Sequence, residues 1–238
     1  MKRTERKNRK MNLYETDQEF MDRFTYFTEE VAKEEGQTLE EPTRYMAILA
    51  TLVGSQSKEA FAMLLPKALK AGVTPVEVKE IVYQATDYLG FGRMLPFLML
   101  VNEELEREHI ALPLESQKTT TTEDRLEKGI QAQADIFGEH MKDAWKAGHI
   151  NRWLASNCFG DYYTRKGLTL AEREMITFCF LLAQGGCEPQ LIAHAKGNMN
   201  MGNDKAFLIK VVSQCLPYIG YPRSLNAINC VNKAAENQ

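Results

Sequence analysis

The sequence predicts an all-α protein made of two tandem helical units. Apolar residues recur at helical spacing through most of the chain, and glycines and prolines mark the ends of the predicted helices. Valine and isoleucine never alternate with polar residues between turn signals, so no strand is predicted. The third observation is a long internal repeat. It predicts two related units that pack against each other as a pseudo-dimer.

The first unit is predicted to contain five helices. Thr16 and Glu19 have the spacing of a capping box and predict the start of the first helix. Pro42 and Pro75 begin the second and fourth helices, because a proline in the first turn loses no hydrogen bond. Pro66 predicts a kink in the third. The predicted helices cover approximately residues 16–35, 42–54, 58–71, 75–89 and 93–108.

The second unit follows a segment that predicts a linker. The stretch 112–122 is polar, contains a proline and lacks periodicity. Beyond it we expect a helix over 123–137, an irregular helical region over 141–163, a helical hairpin, and last helices over 204–218 and 223–235. The predicted organisation of the chain is a disordered basic tail (1–15), a first unit (16–111), a linker (112–122) and a second unit (123–238).

The hairpin in the second unit carries the residues with the most chemical interest. Its first helix is predicted over 171–183 and ends at Gly185–Gly186, and Pro189 suits the first turn of the next helix. Cys187 therefore lies at a helix N-terminus. There the helix dipole favours a thiolate, and thiol pKa values at such positions fall to about 3.5–7.5.

The repeat relates residues of the two halves at offsets of 129 and then 130 positions. Its densest run is Gln-x-x-x-Tyr-x-Gly-x-x-Arg-x-Leu, which begins at Gln84 and again at Gln214. Cys179, Cys215 and Cys230 lie on apolar helix faces, and we expect them in the core. The repeated Tyr88, Tyr218, Arg93 and Arg223 are expected mainly in packing or subunit contacts.

Composition excludes several classes of function. The net charge is −3 with charges mixed along the chain, so nucleic-acid binding is not expected. No apolar run reaches about 18 residues, so no membrane association is expected. Five cysteines without disulfide spacing indicate a reducing cytoplasm. No phosphate-binding glycine loop or cluster among the four histidines is present, so neither a cofactor nor a metal is expected.

The second half resembles the carboxymuconolactone decarboxylase family, which includes the alkylhydroperoxidase D-like proteins. The resemblance rests on four segments and one histidine, namely 159–168, 172–177, 186–191, His194 and 220–227. The first half resembles the same domain more loosely. The resemblance implies an all-α fold and homo-oligomers, often rings of six domains, which for a tandem chain means a trimer of two-domain chains.

The same resemblance implies two chemistries. The family name implies decarboxylation of a lactone acid without a cofactor. The alkylhydroperoxidase-like members use a Cys-x-x-Cys pair, a following histidine and an upstream glutamate. Cys187 and His194 have the spacing of the first cysteine and the histidine, but Gln190 occupies the second cysteine position. No neighbouring thiol is therefore predicted to resolve an oxidised Cys187.

The candidate catalytic residues are His194, Cys187 and Glu174. Cys187 and His194 share a helix face but lie two turns, about 10 Å, apart, so a direct hydrogen bond between them is not expected. Glu174 reaches His194 across the hairpin near the limit of its side chain.

Two further residues are predicted to bind the substrate. Gln190 lies between Cys187 and His194 on the same helix face. Arg223 is the candidate for holding a substrate carboxylate in a fork.

The first unit is predicted to lack a site. The counterparts of Glu174, Cys187 and His194 are Tyr45, Lys58 and Leu65, and none of them replaces its partner chemically. One site per chain is therefore expected.

Three functions are consistent with the sequence. The first is a cofactor-free enzyme that acts on a small carboxylated lactone or related carbon acid, with His194 transferring a proton. The second is a thiol-dependent peroxidase that uses Cys187 and an external thiol. The third is a non-catalytic oligomeric interaction protein. The first is favoured because Gln190 interrupts the dithiol motif.

Overall fold

The computed structural model describes residues 12–236, and all regular structure in that range is helical, which confirms the predicted all-α class. The chain also contains a 3-10 helix (Glu139–Ala147) and a π-helix (Leu154–Tyr163). The α-helices are α1 Leu13–Thr16, α2 Gln18–Lys33, α3 Glu41–Gly54, α4 Lys58–Lys70, α5 Pro75–Leu89, α6 Phe91–Arg107, α7 Arg125–Phe137, α8 His149–Trp153, α9 Leu170–Gln184, α10 Glu188–Asn200, α11 Lys205–Ile219 and α12 Tyr221–Glu236.

Helices α3 and α9 form the centre of the molecule. Every residue of α3 from Met46 to Gly54 is buried, and so is every residue of α9 from Arg173 to Ala183. A helix that is apolar around its whole circumference is stable only when it is surrounded. The two helices approach closely, since a Cβ at Gly54 would lie 2.7 Å from the carbonyl oxygen of Phe180.

Repeat-related residues make reciprocal contacts between the two halves. Arg173 on α9 donates from NH1 to Gln84 Oε1 on α5 at 2.8 Å. Its counterpart Arg44 on α3 donates from Nε to Gln214 Oε1 on α11 at 2.7 Å. Two packed copies of one unit would make this pair of contacts. The complete pseudo-dimer arrangement stays a prediction.

The structure shows which residues cap the helix ends. Thr74 and Glu77 form the full capping box of α5. The prediction at Thr16 is wrong, because the hydroxyl of Thr16 donates to Asp17 Oδ2 and Asp17 itself is the N-cap of α2. The chain instead forms the short helix α1 before this position.

The predicted domain boundaries stay predictions. Helix α6 ends at Arg107 and α7 begins at Arg125, with turns and extended chain between them. The expected disordered tail falls mostly on residues 1–11, which lie outside the described residues, while Leu13–Thr16 are helical. Within residues 12–236, none of the helices combines the length and the apolar character needed to cross a bilayer.

A pair of glycines brings the π-helix against α7. A Cβ at Gly129 on α7 would lie 1.8 Å from the carbonyl oxygen of Ala155, and one at Gly160 would lie 2.0 Å from that of Arg125. Both neighbouring atoms are backbone, so neither can move aside easily. The two segments therefore touch at a distance that only glycine permits.

We predict that Gly160→Ala lowers the free energy of unfolding by about 2–3 kcal/mol, because the added methyl must separate α7 from the π-helix. Urea unfolding followed by circular dichroism measures this change. The matched control is Gly92→Ala in α6, where a Cβ meets no atom within 4 Å. It is expected to be neutral or stabilising by up to about 1 kcal/mol. Equal effects of the two changes would contradict this account.

Candidate active site

Glu174 and His194 form a buried hydrogen-bonded pair. His194 Nδ1 lies 2.9 Å from Glu174 Oε2 and 3.2 Å from Oε1. The Glu174 side chain is fully buried, while the His194 side chain keeps 11% of its surface exposed. A carboxylate that accepts from Nδ1–H orients the ring and leaves Nε2 as the nitrogen available for proton transfer. The predicted contact across the hairpin is therefore present in the structure.

Aromatic rings from two distant helices pack against the imidazole. Tyr88 on α5 and Phe137 on α7 each present a ring edge-on to His194, with centroids 5.4 and 5.5 Å away. Phe159 of the π-helix packs edge-on against Phe137. Since α5 belongs to the first half of the chain, both halves build the surroundings of His194.

A chain of hydroxyl groups supports Glu174 from the other side. Tyr163 donates from its OH to Glu174 Oε1 at 2.9 Å, and Thr177 Oγ1 and Tyr88 OH each lie 2.8 Å from the Tyr163 oxygen. Gln84 donates to Thr177 Oγ1 at 2.8 Å. Burial raises the pKa of Tyr88 and of Tyr163 well above the usual value, so both phenols remain protonated donors.

Two residues of α10 make room for the pair and hold it in place. A Cβ at Gly197 would lie 2.4 Å from Glu174 Oε2, so this glycine provides the space that the carboxylate occupies. Asn198 donates from Nδ2 to the backbone oxygens of both Glu174 and His194, at 2.9 and 2.8 Å. This amide ties α9 to α10 directly beside the pair.

The other predicted site residues lie at or near the turn of the hairpin. Cys187 is the N-cap residue of α10 and is partly exposed, and its Sγ lies 3.5 Å from the Leu181 carbonyl oxygen. Gln190 is exposed on α10. Arg223 is exposed as well, and its guanidinium covers Gly185 at the turn. The roles proposed for Cys187, Gln190 and Arg223 are untested by this geometry.

Sequence reasoning missed Cys158 and Asp87, which lie next to the tyrosine chain. The Cys158 thiol is buried and donates to Tyr88 OH at 3.6 Å. Burial raises its pKa, so it remains a neutral thiol. Asp87 accepts from Asn157 Nδ2 at 2.8 Å, while its Oδ2 is buried with no hydrogen-bond partner. Burial and the nearby charge of Asp161 raise the pKa of Asp87 to about 7.

Tyr88 was expected in packing because its counterpart Tyr218 recurs in the repeat. The structure places Tyr88 against His194 and Tyr163 instead. No sequence signal distinguished the two tyrosines, because the difference comes from the residues opposite each one. Cys179, Cys215 and Cys230 are buried, as expected.

The equivalent position in the first unit contains no such pair. Leu65, the counterpart of His194, is completely buried in the apolar core. Tyr45, the counterpart of Glu174, lies beside the Arg44 guanidinium at 5.4 Å from its ring centre. Across residues 12–236, no group of three or more His, Cys, Asp or Glu side chains has an arrangement that holds a metal ion.

The fold and the site define a class of protein. The chain is an all-α tandem protein in which the second unit carries a buried glutamate–histidine pair beside a helical hairpin with a cysteine at its turn.

The chain belongs to the carboxymuconolactone decarboxylase family. The family model matches it twice, over residues 18–103 and 149–233, which shows the tandem architecture. It is similar to a 4-carboxymuconolactone decarboxylase of Acinetobacter baylyi, with 26% identity over 121 residues that cover 45% of this chain and 84% of that protein.

We predict that the free energy of unfolding falls as the pH rises from about 4 to 7, by at most about 4 kcal/mol, because of Asp87. Its pKa of about 7 in the folded state exceeds the unfolded value, so the folded state binds the proton more tightly. This stability is present at low pH and is lost as Asp87 ionises.

Asp87→Asn is therefore expected to stabilise the protein at pH 8 and to have little effect at pH 4. Urea unfolding at the two pH values measures the difference. The matched control is Asp22→Asn, at an exposed position on α2, which is expected to leave the pH dependence unchanged. An unchanged pH dependence in Asp87→Asn would refute the assignment.

Proposed function

We propose that this protein is a cofactor-free enzyme that acts on a small carboxylated lactone or a related carbon acid. His194 transfers the proton, and Glu174 is its positioning residue. The observation that carries the proposal is the 2.9 Å hydrogen bond between Glu174 Oε2 and His194 Nδ1, because it leaves Nε2 as the ring nitrogen that is available for proton transfer. Membership of the family and the similarity to a protein named as a decarboxylase support the same reaction class.

The reaction requires little beyond a well-placed proton donor. When the bond between carbon and the carboxylate breaks, carbon dioxide leaves and the electron pair passes into the conjugated lactone carbonyl as an enolate. One proton then adds to carbon to form the product. His194 supplies this proton from Nε2 and recovers it from solvent, while the Glu174 carboxylate stabilises the protonated ring.

The surroundings of the pair favour this role. The rings of Tyr88 and Phe137 pack against the imidazole and limit the access of water to it, and the interaction with Glu174 is strengthened in such a low-dielectric setting. Tyr163 prevents the carboxylate from rotating away, because it donates to Oε1 while the histidine occupies Oε2.

A thiol-dependent peroxidase is the second candidate, and one observation favours it. Cys187 is partly exposed at the N-cap of α10, so a small peroxide can reach its sulfur. In that reaction the thiolate attacks the peroxide, the O–O bond breaks, an alcohol leaves and Cys187 becomes a sulfenic acid. Two external thiols then reduce it to the thiolate, forming one disulfide and water.

Assembly into a homo-oligomer, a trimer of two-domain chains, is part of the proposal. Large apolar side chains remain exposed on the single chain and are available for subunit contacts. They include Phe20, Tyr26, Phe91, Ile150, Trp153 and Tyr221.

We predict that His194→Ala and Glu174→Gln each lower kcat/KM for 4-carboxymuconolactone by roughly 100- to 10,000-fold, since each removes one half of the proton-transferring pair. Release of carbon dioxide measures the rate. The matched control is His149→Ala, at an exposed histidine of α8, which is expected to retain full activity. Unchanged decarboxylation in His194→Ala would overturn the proposal.

The thiol alternative makes a separate prediction. Decarboxylation is expected to persist in Cys187→Ser, because the sulfur is bonded at the turn rather than to the histidine. Consumption of an alkyl hydroperoxide with dithiothreitol is measured on the same variant. The peroxidase is selected instead if two results are found together. The unaltered protein consumes hydroperoxide but does not decarboxylate the lactone, and Cys187→Ser no longer consumes hydroperoxide.

A further inference from the structure

A cavity lies away from His194, mostly in the first half of the chain. It has a volume of about 460 Å³, within the range of pockets that hold small organic molecules. It opens between α5, α6 and the segment that follows α6. Its lining consists of Val76, Lys79, Glu80, Tyr83, Asn102, the stretch 112–117 and Arg165.

The lysine in this cavity is buried without a counter-charge. Lys79 is only 7% exposed, and its Nζ donates to Asn102 Oδ1 and lies 5.7 Å from the ring centre of Tyr83. Within residues 12–236, no carboxylate is within ion-pair distance of this ammonium group. Burial lowers the pKa of Lys79, which reflects the cost of keeping the charge there unpaired.

The buried carboxylate in the cavity lining, Glu80, is already occupied. Glu80 accepts from Arg165 through both Nε and NH2, at 2.8–3.0 Å, and from Arg173 NH2 at 3.0 Å. Two guanidinium groups therefore share one carboxylate, and Glu115 at the cavity mouth is exposed to solvent. With Arg173 behind the lining included, three cationic groups surround the single buried carboxylate of Glu80.

The packing of the helix does not require this lysine. At the repeat offset of 130, the counterpart of Lys79 is Ile209, which is partly buried and packs against the apolar core that both halves share. The same helix position in the related unit is thus occupied by an aliphatic side chain. Packing of the fold therefore does not explain why the first unit has an ammonium group at this position.

We propose that this cavity is a binding site for a small organic acid. The carboxylate of the ligand pairs with the Lys79 ammonium group and accepts from Asn102 Nδ2, which is free to donate because Lys79 bonds to the amide oxygen. The apolar body of the ligand lies against Val76, Leu112 and Leu114. The site is independent of the proposed decarboxylation, since it shares neither His194 nor Glu174.

Isothermal titration calorimetry with the full chain tests the proposal, with hexanoate as the probe and hexanamide as its uncharged analogue. Hexanoate is expected to bind with a dissociation constant of about 1 mM or lower, and hexanamide at least about tenfold more weakly. Lys79→Met, which keeps the aliphatic stem, is expected to weaken hexanoate binding by at least about tenfold. The matched control is Lys70→Met, at an exposed position of α4, which is expected to bind normally.

Leu114→Trp provides a second variant in case Lys79→Met fails to fold. It fills the cavity from the loop side and keeps the charge, so it is also expected to weaken hexanoate binding. The proposal is overturned if hexanoate does not bind or if hexanamide binds equally well. It is also overturned if hexanoate still binds normally to a folded Lys79→Met variant or to Leu114→Trp. Decarboxylase activity is measured separately, and its absence leaves this result unaffected.

Discussion

The hydrogen bonds to the carboxylate of Glu174 are the interaction on which the site depends. A fully buried carboxylate is stable only when its oxygens are bonded, and here His194 and Tyr163 supply those bonds. The arrangement extends outward, because Tyr163 is in turn held by Thr177 and Tyr88. Removing any one partner leaves a polar group unpaired in a closed interior.

The two units are structurally similar but chemically different. The reciprocal Arg44–Gln214 and Arg173–Gln84 contacts hold α5 and α11 against the central pair of helices. The first unit thereby brings Tyr88 to the histidine of the second unit. Neither unit alone contains all the groups around His194. This is why the histidine pair is a property of the joined chain rather than of one repeat.

Much of the fold follows from local sequence signals. Apolar periodicity, glycines at helix ends and the proline that begins α5 indicate the helices correctly, because these features act over a single turn. The error at Thr16 has a local cause as well, since Asp17 competes for the cap position. The π-helix was predicted only as an irregular helical region, because it depends on contact with α7 through Gly129 and Gly160.

The candidate site was predicted only in part. Spacing along one hairpin indicated Glu174 and His194, which are close in sequence. Tyr88 and Asp87 come from a distant helix, and their contacts arise from packing between the halves. Gly197 was not predicted, because the sequence does not show that the Glu174 carboxylate occupies the space beside this glycine.

The difference between Lys79 and Ile209 has a consequence for how such a molecule can vary. In a symmetric pair of separate chains, every substitution appears on both sides, so a buried ammonium group would disturb the interior twice. When both copies share one polypeptide, one copy can contain a buried charge while the other keeps an aliphatic side chain at the same position. Covalent linkage thus permits asymmetry that identical partners could not sustain.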